Sequence, residues 1–181
     1  TVMSCPRRRP IAPPAPGKPR TMFESLYRES GLQMIEAFGV DYPREFSERR
    51  NEYDALLASA GIIDLTHLRV FDVAGDDRSR FLNAMLTGDA ASLEPDNALR
   101  TLITTPKGKI ISELLVLSDR DAHRVLVLQG DAAETISVLE KHIVAEDVAI
   151  ADVTDAVGVF AVEGPKAGHV IDLVFGKGSF P

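Results

Sequence analysis

Lys109-Ile110-Ile111-Ser112-Glu113-Leu114-Leu115-Val116-Leu117-Ser118, then Asp119-Arg120-Asp121-Ala122, then His123-Arg124-Val125-Leu126-Val127-Leu128-Gln129, is the stretch that decides the fold. The Ile-, Leu- and Val-rich run predicts a strand over Lys109–Ser118, the polar segment Asp119–Ala122 a turn, and Arg124–Gln129 a strand returning beside the first. Side chains alternate along a strand, so Glu113 shares a face with Ile111, Leu115 and Leu117. The other face holds Ile110, Ser112, Leu114 and Val116. Both sets are apolar, so the strand reads as buried on both sides, where a carboxylate is costly to desolvate unless something satisfies it. Buried acids with apolar neighbours often serve ligands or proton transfer. Two alternatives stand beside that reading: an edge position where Glu113 reaches water, or a structural partner such as Arg124 in the next strand.

Gln129 is a second polar group following apolar ones. If the turn pairs Asp119 with Ala122, Ser112 falls opposite Gln129 and Glu113 opposite Leu128. A slip of one residue puts Glu113 opposite Gln129 instead. Both registers are compatible with the sequence.

On the N-terminal side of this stretch, Leu68–Val73 predicts a strand, Gly75-Asp76 a turn and helix N-cap, and Phe81, Leu82, Met85 and Leu86 the buried stripe of a helix. Ala98–Thr105 predicts a strand joined to the decisive one through the turn Pro106-Lys107-Gly108. Beyond Gln129, Ala132, Ile136, Leu139 and Ile143 fall on one helical face. Val148–Asp152 and Val157–Val162 read as a hairpin around Thr154-Asp155, and Ala167, Val170, Ile171, Val174 and Phe175 as a last helix. Before these, Met22, Leu26, Tyr27, Met34, Ile35 and Phe38 recur at helical spacing, with Gly31 as a break. A second helix is expected over Arg44–Ser59, carrying Phe46, Tyr53, Leu56 and Leu57. Hairpins between helices predict an α+β domain, a mainly antiparallel sheet covered by helices, and not the strict alternation of a Rossmann fold.

The chain has 181 residues and a formal net charge of −7, unevenly spread. Residues 1–20 carry Arg7, Arg8, Arg9, Lys18 and Arg20, no acid, and six of the eleven prolines. This +5 segment leaves −12 on the remainder. Proline at that density opposes helix, including the amphipathic helix of a transit peptide, and too little apolar surface remains to fold alone. Residues 1–21 are therefore expected to be a disordered basic tail, with Met22 the more natural start. The remaining expected divisions are N-terminal helices over 22–60, an α+β domain over 61–176, and the start of a linker over 177–181.

No apolar run approaches the roughly 20 residues of a membrane span. The acidic body argues against direct nucleic-acid binding. Cys5 alone cannot form an internal disulfide or a multi-cysteine metal site, and with no secretory signal a cytoplasmic setting is the default. There is no Gly-rich phosphate loop and no GxSxG elbow. His67, His123, His142 and His169 are scattered singly, which favours surface or structural roles over a metal site.

Four segments carry a family resemblance. Ser59-Ala60-Gly61-Ile62-Ile63-Asp64-Leu65-Thr66-His67 resembles an S-A-G-hydrophobic-hydrophobic-D-[VL]-[ST]-H stretch. Val73-Ala74-Gly75-Asp76-Asp77 with Phe81-Leu82 and Leu86-Thr87-Gly88-Asp89 resembles a V-x-G-x-D-A-x-x-F-L…T-N-D run. Thr105-Pro106-Lys107-Gly108-Lys109 with Ile110–Leu117 resembles a segment ending in D-D-L, and Glu163-Gly164-Pro165-Lys166-Ala167 a Q-G-P-x-A turn. Together, in order, these resemble the glycine-cleavage T-protein superfamily, aminomethyltransferases and their YgfZ-type folate-binding relatives.

The resemblance implies the first part of a cloverleaf of domains around a tetrahydrofolate site. Glu113 takes the place of the second acid of D-D-L, which acts near the folate nitrogens that receive the one-carbon unit, and Ser112 replaces the first acid. Ser112, Glu113, Leu114, Val125, Val127 and Gln129 are the implied folate-binding residues, with Glu113 the catalytic one. The Thr105–Lys109 turn is more similar to the YgfZ type, linked to iron–sulfur cluster maintenance and tRNA modification, so a YgfZ-like folate-binding protein is the leading expectation. A protein partner belongs to that expectation. The alternatives are a folate-dependent aminomethyltransferase of the glycine-cleavage type and a non-catalytic scaffold that kept the fold. Family members run roughly as long again and, in the YgfZ type, carry a K-G-C-x-x-G-Q-E motif not found in these residues, so a partial chain is expected.

Overall fold

The computed structural model describes residues 23–178; the basic tail and the last three positions, where a disordered segment and a linker were expected, lie outside the described residues. Contacts divide the described residues into two compact units, Leu68–Val157 and a second one holding 23–67 together with 158–178.

In the Leu68–Val157 unit a five-stranded antiparallel sheet is built from β4 (Arg69–Ala74), β5 (Ala98–Thr104), β6 (Ile110–Ser118), β7 (Ala122–Gly130) and β8 (Ala149–Asp152), in the order β5-β6-β7-β4-β8. Helices α3 (Arg78–Met85) and α4 (Ala132–Lys141) cover one face. Alternation explains which face. Ser112, Leu114 and Val116 on β6, Val125 and Val127 on β7, and Phe71 and Val73 on β4 are buried, and the apolar ones join Phe81 and Leu82 of α3 and Leu139 of α4 in one core. Glu113, Leu115 and Leu117 point to the second face and are only partly buried or exposed. The strand is therefore sealed on one side, not on both as its composition suggested. Composition shows apolar content on each face, whereas burial depends on what packs there.

Helix α4 starts where its sequence dictates. Asp131 at the N-cap accepts the Glu134 backbone N–H at 3.0 Å, Glu134 sits in the first turn and Lys141 in the last, each complementing the helix dipole. The buried Thr135 hydroxyl lies 2.7 Å from Ser112 Oγ, joining helix to sheet through a satisfied polar pair.

In the other unit α1 (Glu24–Glu29) is followed by a hairpin of β1 (Met34–Ala37) and β2 (Val40–Pro43), then α2 (Arg49–Ala58). The helix expected through Met34, Ile35 and Phe38 is replaced by that hairpin. Phe38 and Gly39 form its two-residue turn at φ 54° and 77°, and a positive-φ pair reverses the chain where a helix would continue. Helix α2 begins at Arg49 rather than Arg44, because Glu52 takes the backbone N–H groups of Phe46 and Ser47 at 2.6 and 2.7 Å and holds them outside the helix.

Gly61–Asp64, not anticipated as a strand, forms β3 and pairs antiparallel with β9 (Phe160–Glu163), ahead of α5 (Ala167–Phe175). The expected hairpin between the segments at Val148 and Val157 therefore does not form. β8 joins β4, β9 joins β3, and a short 3-10 turn over Thr154–Ala156 separates them.

Candidate functional site

On the second face of the five-stranded sheet, Glu113 stands directly opposite Leu102 on one side and Gln129 on the other. The pairing with Gln129 comes from a bulge. Near the turn, Asp119 N–H donates to Ala122 O at 3.0 Å and the ladder runs Ser118 to His123, Leu117 to Arg124 and so on to Leu114 opposite Val127. Leu128 is then an extra residue, and the ladder resumes with Glu113 opposite Gln129 and Ser112 opposite Gly130. The chain thus uses the turn of one expected register and the Glu113–Gln129 pairing of the other. Gly130 closes the bulge at φ 109°, and a Cβ there would come within 2.2 Å of Ser112 Oγ and 2.5 Å of Ile111 O.

Leu115 and Leu126 lie opposite each other in the next row, and Leu117 opposite Arg124 in the one after. The second face therefore carries an apolar band with Glu113 and Gln129 at one end and a charged pair at the other. There, Arg124 Nε and Nη2 donate to both oxygens of Asp72 at 2.8 and 2.9 Å. Arg124 does not reach Glu113, since four strand residues separate their rows, about 13 Å of chain. Instead Arg100 Nε meets Glu113 Oε1 at 2.6 Å. The expected alternative of a structural cation beside Glu113 is met by a different residue from the preceding strand. A hollow of about 260 Å³ opens at the charged end, lined by Asp72, Asp96, Leu117, Ser118, Asp119, Ala122 and Arg124.

Of the six residues singled out as folate-binding, the structure brings Glu113 and Gln129 together and keeps four apart from them. Ser112, Leu114, Val125 and Val127 are buried on the helix-covered face. Alternation already separated Glu113 from Ser112 and Leu114. Arg100 was missed; its signal is a guanidinium in the otherwise uncharged strand Ala98–Thr105, which the Thr105–Lys109 turn folds against β6.

Two histidines sit in polar networks. His67 backbone N–H donates to the Tyr42 hydroxyl at 3.0 Å, so that hydroxyl's own proton is free to donate to His67 Nδ1 at 3.2 Å. Burial holds His67 below its ordinary range, against the pull of Asp64, which favours the neutral ring this bond needs. Phe38 stacks on the same ring at 4.5 Å. Asp64 accepts the Tyr27 hydroxyl at 2.8 Å and the Thr66 backbone N–H at 2.9 Å, as well as the Thr66 hydroxyl. Burial, then the bond to Asp64, pushes Tyr27 above its ordinary range. The D-L-T-H segment thus organises the turn after β3.

His123 Nε2 lies 2.7 Å from Ser79 Oγ. Its buried Nδ1 has no hydrogen-bond partner among the described residues, which favours a lone pair there and an N–H at Nε2 donating to Ser79. An activated serine would need the opposite tautomer. Among the described residues no three His, Cys, Asp or Glu side chains gather to hold a metal, and no helix is long and apolar enough to cross a membrane.

With this geometry in view, the chain matches the GCVT N-terminal domain family over residues 23–180. It belongs to that family. Its GCVT domain is 33% identical over 153 residues to an aminomethyltransferase of Bacillus velezensis, covering 84% of this chain and 42% of that relative. It is 30% identical over 152 residues to the aminomethyltransferase of Bacillus subtilis, again covering 84% and 42%. A crystal structure of the glycine cleavage system aminomethyltransferase T from Bartonella henselae superposes with a TM-score of 0.73 at 19% identity, over 91% of this chain and 45% of that one. That likeness establishes the shared fold. The chain spans less than half the length of these relatives. The α+β class, the mainly antiparallel sheet and the T-protein-like fold expected from sequence are all present.

Proposed function

We propose that this chain is the N-terminal part of a folate-dependent aminomethyltransferase of the glycine-cleavage type, with tetrahydrofolate held against the second face of the five-stranded sheet. The observation that carries the reading is the in-register pairing of Glu113 with Gln129 beside Leu102, Leu115 and Leu126. An apolar floor suits a flat ring, and a carboxylate next to a carboxamide supplies an acceptor and a mixed donor–acceptor at its edge. Bound tetrahydrofolate would supply the amine nitrogen that accepts a one-carbon unit. Glu113 would accept that nitrogen's N–H and take its proton as the new N–C bond forms and the carbon's bond to the donor breaks, the electron pair of that bond leaving with the donor group. Gln129 would orient the ring edge. Ser112, Leu114, Val125 and Val127 would hold the two strands in place from the core side.

The aminomethyltransferase relatives support this reading over the YgfZ-like one, which rests on the Thr105–Lys109 turn alone. The same reading makes a folate the small-molecule partner, gives the chain a protein partner that presents the one-carbon donor, and sets it in the cytoplasm. The test is hydrogen–deuterium exchange of the chain with and without tetrahydrofolate. Slowed exchange confined to β5, β6 and β7 is expected. Protection elsewhere, or none, would favour a scaffold that kept the fold and lost the site.

A further inference from the structure

We propose that Arg100 is the positioning residue of the Glu113 site, an inference that rests on the tetrahydrofolate reading above. Arg100 stands on β5 opposite Leu115, two pairs along from the Leu102–Glu113 pair and next to it on the same face, so it reaches Glu113 on the diagonal. Its Nε lies 2.6 Å from Oε1, a short charge-assisted contact. The Arg100 side chain is 71% exposed and that of Glu113 23%. Exposed cross-strand pairs contribute little to stability, so the fold does not depend on this one.

What the pair does is restrict the acid. A glutamate carries its carboxylate on three rotatable bonds and samples several rotamers when nothing holds it. Arg100 takes one oxygen. The other, Oε2, is not engaged by this bond. The carboxylate is thereby fixed with one oxygen left for a ligand, and Gln129 is its direct neighbour across the ladder. The other arginine of this face, Arg124, is engaged by both oxygens of Asp72 and cannot substitute. Fixing an acid before the ligand arrives lowers the ordering cost of binding.

The experiment is a double-mutant cycle on tetrahydrofolate affinity, measured by calorimetry on the whole chain, with thermal midpoints recorded alongside. Arg100→Gln is expected to weaken binding about tenfold. Arg100→Lys recovers part of the loss, and Arg100→Gln combined with Glu113→Gln binds no more weakly than Glu113→Gln alone. The thermal midpoint of Arg100→Gln stays within about 2 °C of the parent. If Glu113→Gln weakens binding while Arg100→Gln does not, or the two losses add in full, the role of Arg100 is overturned and the ligand reading stands. If the parent chain does not bind tetrahydrofolate, both fall together.

Discussion

Glu113 faces Gln129 across β6 and β7 because Leu128 is an unpaired extra residue between Val127 and Gln129. An insertion of one residue decides which polar groups meet on the second face. Bulges of this kind re-aim side chains at functional sites more often than elsewhere in a sheet. The bulge is closed by Gly130, whose backbone conformation and lack of a Cβ are both required.

Gly130→Ala should therefore be costly. The added methyl meets Ser112 and the Ile111 carbonyl oxygen at distances no side chain tolerates, and φ 109° is strained for alanine. A loss of about 3 kcal/mol is expected from the strain and the overpacking together. Urea denaturation of the variant against the parent measures it, and a loss below about 1 kcal/mol would mean the bulge relaxes freely.

The anchor at Asp64 makes a smaller, separable prediction. Tyr27→Phe removes one of the donors to Asp64 while leaving the buried ring and its contact with Phe46 at 5.6 Å in place. The expected cost is about 1 kcal/mol, because Thr66 still satisfies the carboxylate. Asp64→Ala should cost more, since it strands the Tyr27 hydroxyl and both Thr66 donors at once. Equal losses in a denaturation series would show that the Tyr27 bond alone matters.

Acid should destabilise the fold in a defined window. Burial holds both His67 and His123 below their ordinary value of 6.5, with Arg78 adding to the effect at His123. The unfolded chain therefore binds protons first as pH falls. Stability is fully present above about pH 6.5 and is lost as pH drops below it toward the folded values. Urea midpoints at pH 7.5 and 5.5 should show the decline, and His123→Asn should make it shallower. An unchanged slope in that variant would mean His123 titrates alike in both states. Asp152, also held low despite partial burial by its bonds to Thr154 and Arg69, acts only in more acid solution.

How much of this was legible beforehand depends on the range of the interactions. The β6–β7 hairpin was readable because alternation and a polar turn lie within the segment itself. Helix α4 was readable because Ala132, Ile136 and Leu139 recur on one face. The β1–β2 hairpin was not. Met34, Ile35 and Phe38 fit helical spacing equally well, and the positive φ of Phe38 leaves no mark in composition. Pairing of β8 with β4 and β9 with β3 was hidden for another reason: strands announce themselves locally, but their partners lie roughly 80 to 100 residues away. At the site, Glu113 stood out as an acid among apolar neighbours. Its partner did not, because a diagonal contact from Arg100 depends on how two long side chains lean.

The affinity of the chain for tetrahydrofolate, with and without the Glu113 carboxylate, decides whether Glu113 binds that ligand on the second face of the sheet. Calorimetric titration should give saturable binding to the parent and about tenfold weaker binding to Glu113→Ala, with the unfolding midpoint of the variant preserved. Equal affinities in parent and variant, both folded, would contradict it.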